Sequence, residues 1–165
     1  MVKSGRQFKS DPRVDEISFF IAQNDIEKAK QLLSETGIDT CDGYLRTALI
    51  WAAFHNNIAL LNWLIEKGAN INHQDRNGYS ALHFVAQEKR FDCAKILIEK
   101  GADLELLDNH DNTPLWTAIF NSRGENQIVE LFIKHGANPD HINNHQQTPR
   151  KLAEMIQGFD LTSLE

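Results

Sequence analysis

Seven histidines, two cysteines and a regularly spaced set of aspartates are the residues of this 165-residue chain that could do chemistry. His141 and His145, four apart in "HINNH", invite a metal reading as a structural zinc pair. Cys93 falls within an apolar helical pattern and suits a small core residue, and nothing in sequence beside Cys41 suggests a lowered thiol pKa. Asp42, Asp75 and Asp108 recur at equal spacing, which suits backbone capping in repeated turns better than acid–base catalysis. A Gly-rich phosphate loop, a nucleophile elbow and a closely spaced cysteine set do not occur. Neither catalysis nor a cofactor nor a bound metal is therefore expected.

The bulk properties narrow the field further. The chain is long enough for one domain with a substantial core, and its composition (41% apolar, 24% charged) is that of a folding protein. A formal net charge of −6 opposes nucleic acid or an anionic membrane as the main ligand and leaves a basic protein partner open. No stretch approaches the roughly 20 apolar residues that span a bilayer. The opening "MVKSGRQFKS" is basic but lacks the apolar run of a signal peptide, and two cysteines form no disulfide framework. Cytoplasmic residence is the expectation.

What positions these residues is a repeat. Similar units open at Thr47-Ala48, Ser80-Ala81, Thr113-Pro114 and Thr148-Pro149, in steps of 33, 33 and 35 residues. A "GA" marker keeps the same rhythm at Gly68, Gly101 and Gly136. Each unit reads as two short helices. From Ser80, "ALHFVAQ" turns Leu82, Val85 and Ala86 inward, a break follows at Lys89-Arg90, and "FDCAKILIEK" runs to the stop at Gly101. Helices this short are marginal alone, so stacking on the neighbouring unit must supply most of their stability.

The sequence resembles the ankyrin-repeat family. "TALIWAA" at 47–53, "SALHFVA" at 80–86 and "TPLWTAI" at 113–119 match its unit opening, and "EKGANIN", "EKGADLE" and "KHGANPD" match its unit ending. The resemblance covers about Asp15 to Ile156. It implies an all-α repeat solenoid, a stack of helix pairs with projecting β-hairpin loops. The expected organisation is a basic tail at 1–13 and a single domain at 14–158, followed by a tail at 159–165 whose Phe159 and Leu161 could pack back. Within the domain lie a capping repeat at 15–42, full repeats at 43–75, 76–108 and 109–143, and a partial cap at 144–158. "FNSRGENQ" at 120–127 carries an insertion that either extends a first helix or enlarges the loop after it. His141 and His145 fall where the family has a hairpin, which argues against a helical zinc pair, and His83 takes the family's structural histidine position.

The resemblance also implies a function, the binding of a protein partner through a concave surface of loop tips and first-helix edges. Carried over position by position, that surface has Tyr44, Arg46 and Phe54 from the first full repeat. The second adds Arg76, Asn77, Tyr79 and Glu88, and the third adds Leu107, His110, Asn112 and Phe120. The aromatics stand where repeat packing needs no large side chain, with Arg and Asn as neighbours, the composition of a binding hot spot. The chain is expected to be a monomer when free. A small inhibitor or toxin-immunity protein is one form of this reading, and the alternative is an adaptor or secreted effector that engages a host or signalling protein.

Overall fold

The computed structural model describes residues 13–156, so the two tails apart from Arg13 lie outside it, Phe159 and Leu161 included. Among the described residues the chain forms nine helices: α1 (Val14–Ala22), α2 (Ile26–Thr36), α3 (Ala48–Phe54), α4 (Ile58–Glu66), α5 (Ala81–Gln87), α6 (Phe91–Glu99), α7 (Pro114–Asn121), α8 (Gln127–Lys134) and α9 (Pro149–Met155). They are all-α helix pairs stacked in two layers. The first helices pack in the order α1, α3, α5, α7, α9, and α4, α6 and α8 pack in a second row beside them.

Local chemistry sets these boundaries. Thr47, Thr113 and Thr148 stand in extended backbone before α3, α7 and α9, and each hydroxyl accepts an N–H from the first turn. Pro114 and Pro149 occupy the first turn, where the missing N–H costs nothing. The side chains of Asp25 and Asn57 do the same capping for α2 and α4.

The core runs unbroken along the stack. Leu49, Leu82 and Leu115 are equivalent and fully buried, and Ala52, Ala53, Ala86 and Ala118 leave room for adjacent first helices to approach. Leu60, Leu61, Leu64, Leu97 and Phe132 fill the layer between first and second helices. Each such leucine contributes ~1.5–3 kcal/mol of burial. Cys93 belongs to this core, and burial, with Asp92 adding to it, pushes its thiol up to about 11.

The projecting β-hairpins do not exist. Among the described residues there is no strand, only the isolated bridges Cys41–Thr47 and Gln74–Ser80. The reason is visible in the turns. One residue at each tip, Asp42, Asp75, Asp108 or Asn143, takes its own N–H to the carbonyl four residues on, and its side-chain Oδ1 accepts the N–H groups two and four residues on. A side chain thus satisfies donors that a strand ladder would otherwise take. The three aspartates and Asn143 are buried beneath the turns they close.

The insertion is resolved in both ways that the sequence allowed. α7 is one residue longer than α3 and α5, and the loop after it turns through Arg123 and Gly124, both at positive φ, before α8 begins.

Candidate protein-binding surface

The turns are joined to one another as well as closed on themselves. Arg76 N–H donates to Tyr44 O (2.9 Å), Asn109 N–H to Asn77 O (2.9 Å) and Asn144 N–H to His110 O (3.2 Å). Each turn passes through the left-handed region at its fourth residue: Leu45, Gly78, Asp111 and Gln146. At Gly78 the approach of the next turn is also too close for a side chain, because a Cβ would lie 2.8 Å from Asp108 Cα. The row of tips is therefore a continuous edge fixed to the helix stack.

At one end of this edge lies an aromatic and cationic cluster that joins two units. The Arg46 guanidinium is 5.3 Å from the Tyr44 ring centroid and 5.1 Å from those of Trp51 and Phe84. Its Nε donates to Asp75 Oδ2 (3.2 Å), whose side chain is inaccessible to solvent. Trp51 Nε1–H donates to Asp42 Oδ2 (3.0 Å), so both tip aspartates are held on every side. Phe54 packs edge-on to Trp51 and Phe84. Arg76 reaches back to Gly43 O with Nη2 and lies 6.0 Å from the Tyr44 centroid. Tyr44 itself is 62% exposed, the outer surface of a cluster whose other members hold it in place.

Two residues placed on the surface by their register, Tyr79 and Asn112, turn inward. Tyr79 is half-buried, stacked on His83 with centroids 5.0 Å apart, and burial, reinforced by the Asp108 carboxylate, pushes its phenol up. Asn112 is structural: its Nδ2 donates to Asp108 Oδ2, its Oδ1 accepts from Asn143, and its backbone carbonyl takes the Nε2–H of His83 (3.1 Å). Asn77 is exposed, and its backbone N–H and carbonyl belong to the turn row. Glu88 accepts from Gln87 Nε2 (2.8 Å).

The remaining predicted positions are open. Phe120 is 66% exposed, Leu107 is exposed at the rim, and His110 is exposed and stacks on His145. Phe120 is not in ring contact with the Tyr44 cluster among the described residues. The surface therefore has two separate aromatic points.

Three contributors escaped sequence reasoning. Phe84 forms the floor under Arg46, Phe54 and Tyr79, although its place in "SALHFVA" reads as ordinary helix packing. Met155 is 75% exposed at the position equivalent to Phe54 and Phe120, a correspondence legible once the step of 35 residues is applied. Phe19 is likewise exposed, at the register of Trp51 and Phe84 once a step of 32 is allowed for the first unit.

No reactive group accompanies these contacts. Burial raises the Cys41 thiol, with Asp42 and Asp39 adding to it, and its Sγ donates to Asp39 O (3.3 Å). His73, 3.5 Å from that sulfur, is engaged with Leu45 O (2.8 Å). Among the described residues no three His, Cys, Asp or Glu side chains are arranged to hold a metal ion, and no helix is long and apolar enough to cross a membrane.

A family model described as ankyrin repeats (3 copies) matches residues 16–75 and 53–143. The chain is similar to the ankyrin repeat protein YahD of Escherichia coli, 30% identical over 84% of this chain and 87% of that protein. It is also similar to the E3 ubiquitin-protein ligase Ufd4 of Drosophila melanogaster, 35% identical over 73% of this chain but 4% of that protein. A third similarity is to the ankyrin repeat protein L371 of a mimivirus, 28% identical over 57% of this chain and 12% of that protein. Against these last two the chain spans a small fraction of the relative's length.

Proposed function

Since the chain belongs to the ankyrin-repeat family, whose repeats serve as non-catalytic protein–protein interaction modules, we propose that it binds one protein partner across the row of turn tips and the adjoining ends of the first helices. The observation that supports this is Tyr44, exposed yet fixed by Arg46 and Arg76, with Phe120 as a second exposed aromatic on an equivalent face. A preordered aromatic loses little conformational freedom on binding, which is the property of a hot spot.

Affinity capture at about 0.15 M salt, with mass spectrometry of the retained proteins, supplies the partner. Alanine at Tyr44 and Phe120 together should then weaken binding by about thirty-fold or more while thermal unfolding stays near that of the parent. Unchanged affinity in a folded double variant would sink this surface. Tyr79 is left out of the test because its ring supports His83 and Phe84.

Inhibition of the partner, as by a small inhibitor or toxin-immunity protein, is one form of this reading. Loss of the captured partner's own activity on titration with this chain is the deciding measurement. A similar stretch fills 4% of the ligase Ufd4, which supports the second reading, an adaptor or secreted effector that engages a host or signalling protein. The free protein is a monomer in this proposal, and a sedimentation coefficient that indicates a dimer at all concentrations would contradict it.

A further inference from the structure

We infer that the partner presents an acidic residue beside an apolar one, with its carboxylate seated on Arg76 and its apolar side chain on Tyr44. The inference rests on the binding surface proposed above and adds the chemistry of what it accepts. A chain with a net charge of −6 invites the opposite expectation, a basic partner, but the local distribution of charge points the other way.

The two arginines at the tips differ in kind. The charge of Arg46 is used internally: it is paired with inaccessible Asp75 and enclosed by three rings. Arg76 is exposed, and none of the described carboxylates forms an ion pair with it. It is nevertheless ordered, by one hydrogen bond from Nη2 to Gly43 O and by contact with the Tyr44 ring. The rest of its fork is left to meet a carboxylate in two parallel hydrogen bonds, and the side-chain entropy of holding it is already spent.

Acidic groups near this point are turned away or occupied. Asp42, Asp75 and Asp108 lie beneath their turns with Oδ1 filled by backbone N–H groups. Asp15 faces Gly43 N–H (3.4 Å), and Glu88 is engaged by Gln87. Exposed acids are found on the second helices and the loops after them, at Glu27, Glu66, Asp92, Glu99, Asp103 and Glu130, and also at Asp15 and Glu16 on α1, at Glu154 on α9 and at Asp111 in the third turn. A basic segment laid on the tips beside Tyr44 would meet Arg76 directly.

The test is selection of random linear peptides displayed against the whole chain, followed by anisotropy measurements with the recovered peptides. Expected are sequences rich in Asp or Glu next to Leu, Phe, Trp or Tyr. Arg76→Gln should weaken them by about tenfold at low salt, and by less at high salt. Arg76→Lys should restore part of the loss, and Arg76→Glu should move the preference toward basic peptides.

Recovery of basic or charge-neutral sequences, of none at all, or of acidic ones indifferent to Arg76→Gln would overturn the inference. Peptides that depend on Tyr44 and Phe120 but not on Arg76 would remove the acidic preference and leave the surface standing. Peptides indifferent to all three residues would remove both.

Discussion

His83 is fully buried with both ring nitrogens engaged, so its protonation is coupled to folding. The Asn112 carbonyl can only accept, which places the ring proton on Nε2, and Nδ1 then accepts the Ser80 N–H (3.2 Å). Protonation of Nδ1 would break that second bond and charge a buried ring, and burial accordingly holds the imidazole below its ordinary 6.5. Because the unfolded chain takes up that proton more readily than the native one, the contribution of His83 is intact above about pH 6.5 and is lost as the pH falls through the lowered native value. Urea midpoints should drop between about pH 7.5 and pH 5.5, and drop less in His83→Gln. Equal drops would assign the effect to other groups, such as His55, which burial and Arg90 also lower. The fourth residue of each turn offers a second test. Gln146 is exposed at φ 59°, so Gln146→Gly should stabilise by about 0.5–1 kcal/mol, whereas Gly78→Ala meets Asp108 backbone and should cost ~2 kcal/mol or more. "DRNG" announces a turn at Gly78, but Leu45, Asp111 and Gln146 hide the same conformation. It persists there because the Asp or Asn side chain beneath holds the backbone.

Among the elements, the helix pairs were legible because two independent signals agreed: apolar spacing within a unit and recurrence of that spacing between units. Leu82 is 1% exposed in the first turn of α5, and Leu82→Ala should cost roughly 2–5 kcal/mol by chemical denaturation. A loss below about 0.5 kcal/mol would mean the stripe does not face the core. The β-hairpin loops that the resemblance implies do not form among the described residues, because the hydrogen bonds of these turns go to one side chain and to the neighbouring turn. The candidate surface was legible at Tyr44 and Phe120, where register alone decides exposure. It was not legible at Arg46, whose place depends on Asp75 and Phe84 from the next unit. Contacts across a unit boundary are spaced by about thirty residues, beyond the reach of any local pattern.

The whole stack is held along two lines, the buried rows of leucine and alanine and the row of turn-to-turn bonds. The first makes neighbouring units depend on each other, so a defect at Leu82 should lower the unfolding transition of more than its own unit. The second has a consequence for time as well as stability. The amide protons of Arg76, Asn109 and Asn144 point across a boundary, so each is shielded from solvent only while two units are docked. In deuterated solvent these three protons act as clocks placed at successive joints. If the stack frays from its final unit, the Asn144 proton should be replaced first and that of Arg76 last, and spectra collected over minutes to hours would follow the opening joint by joint.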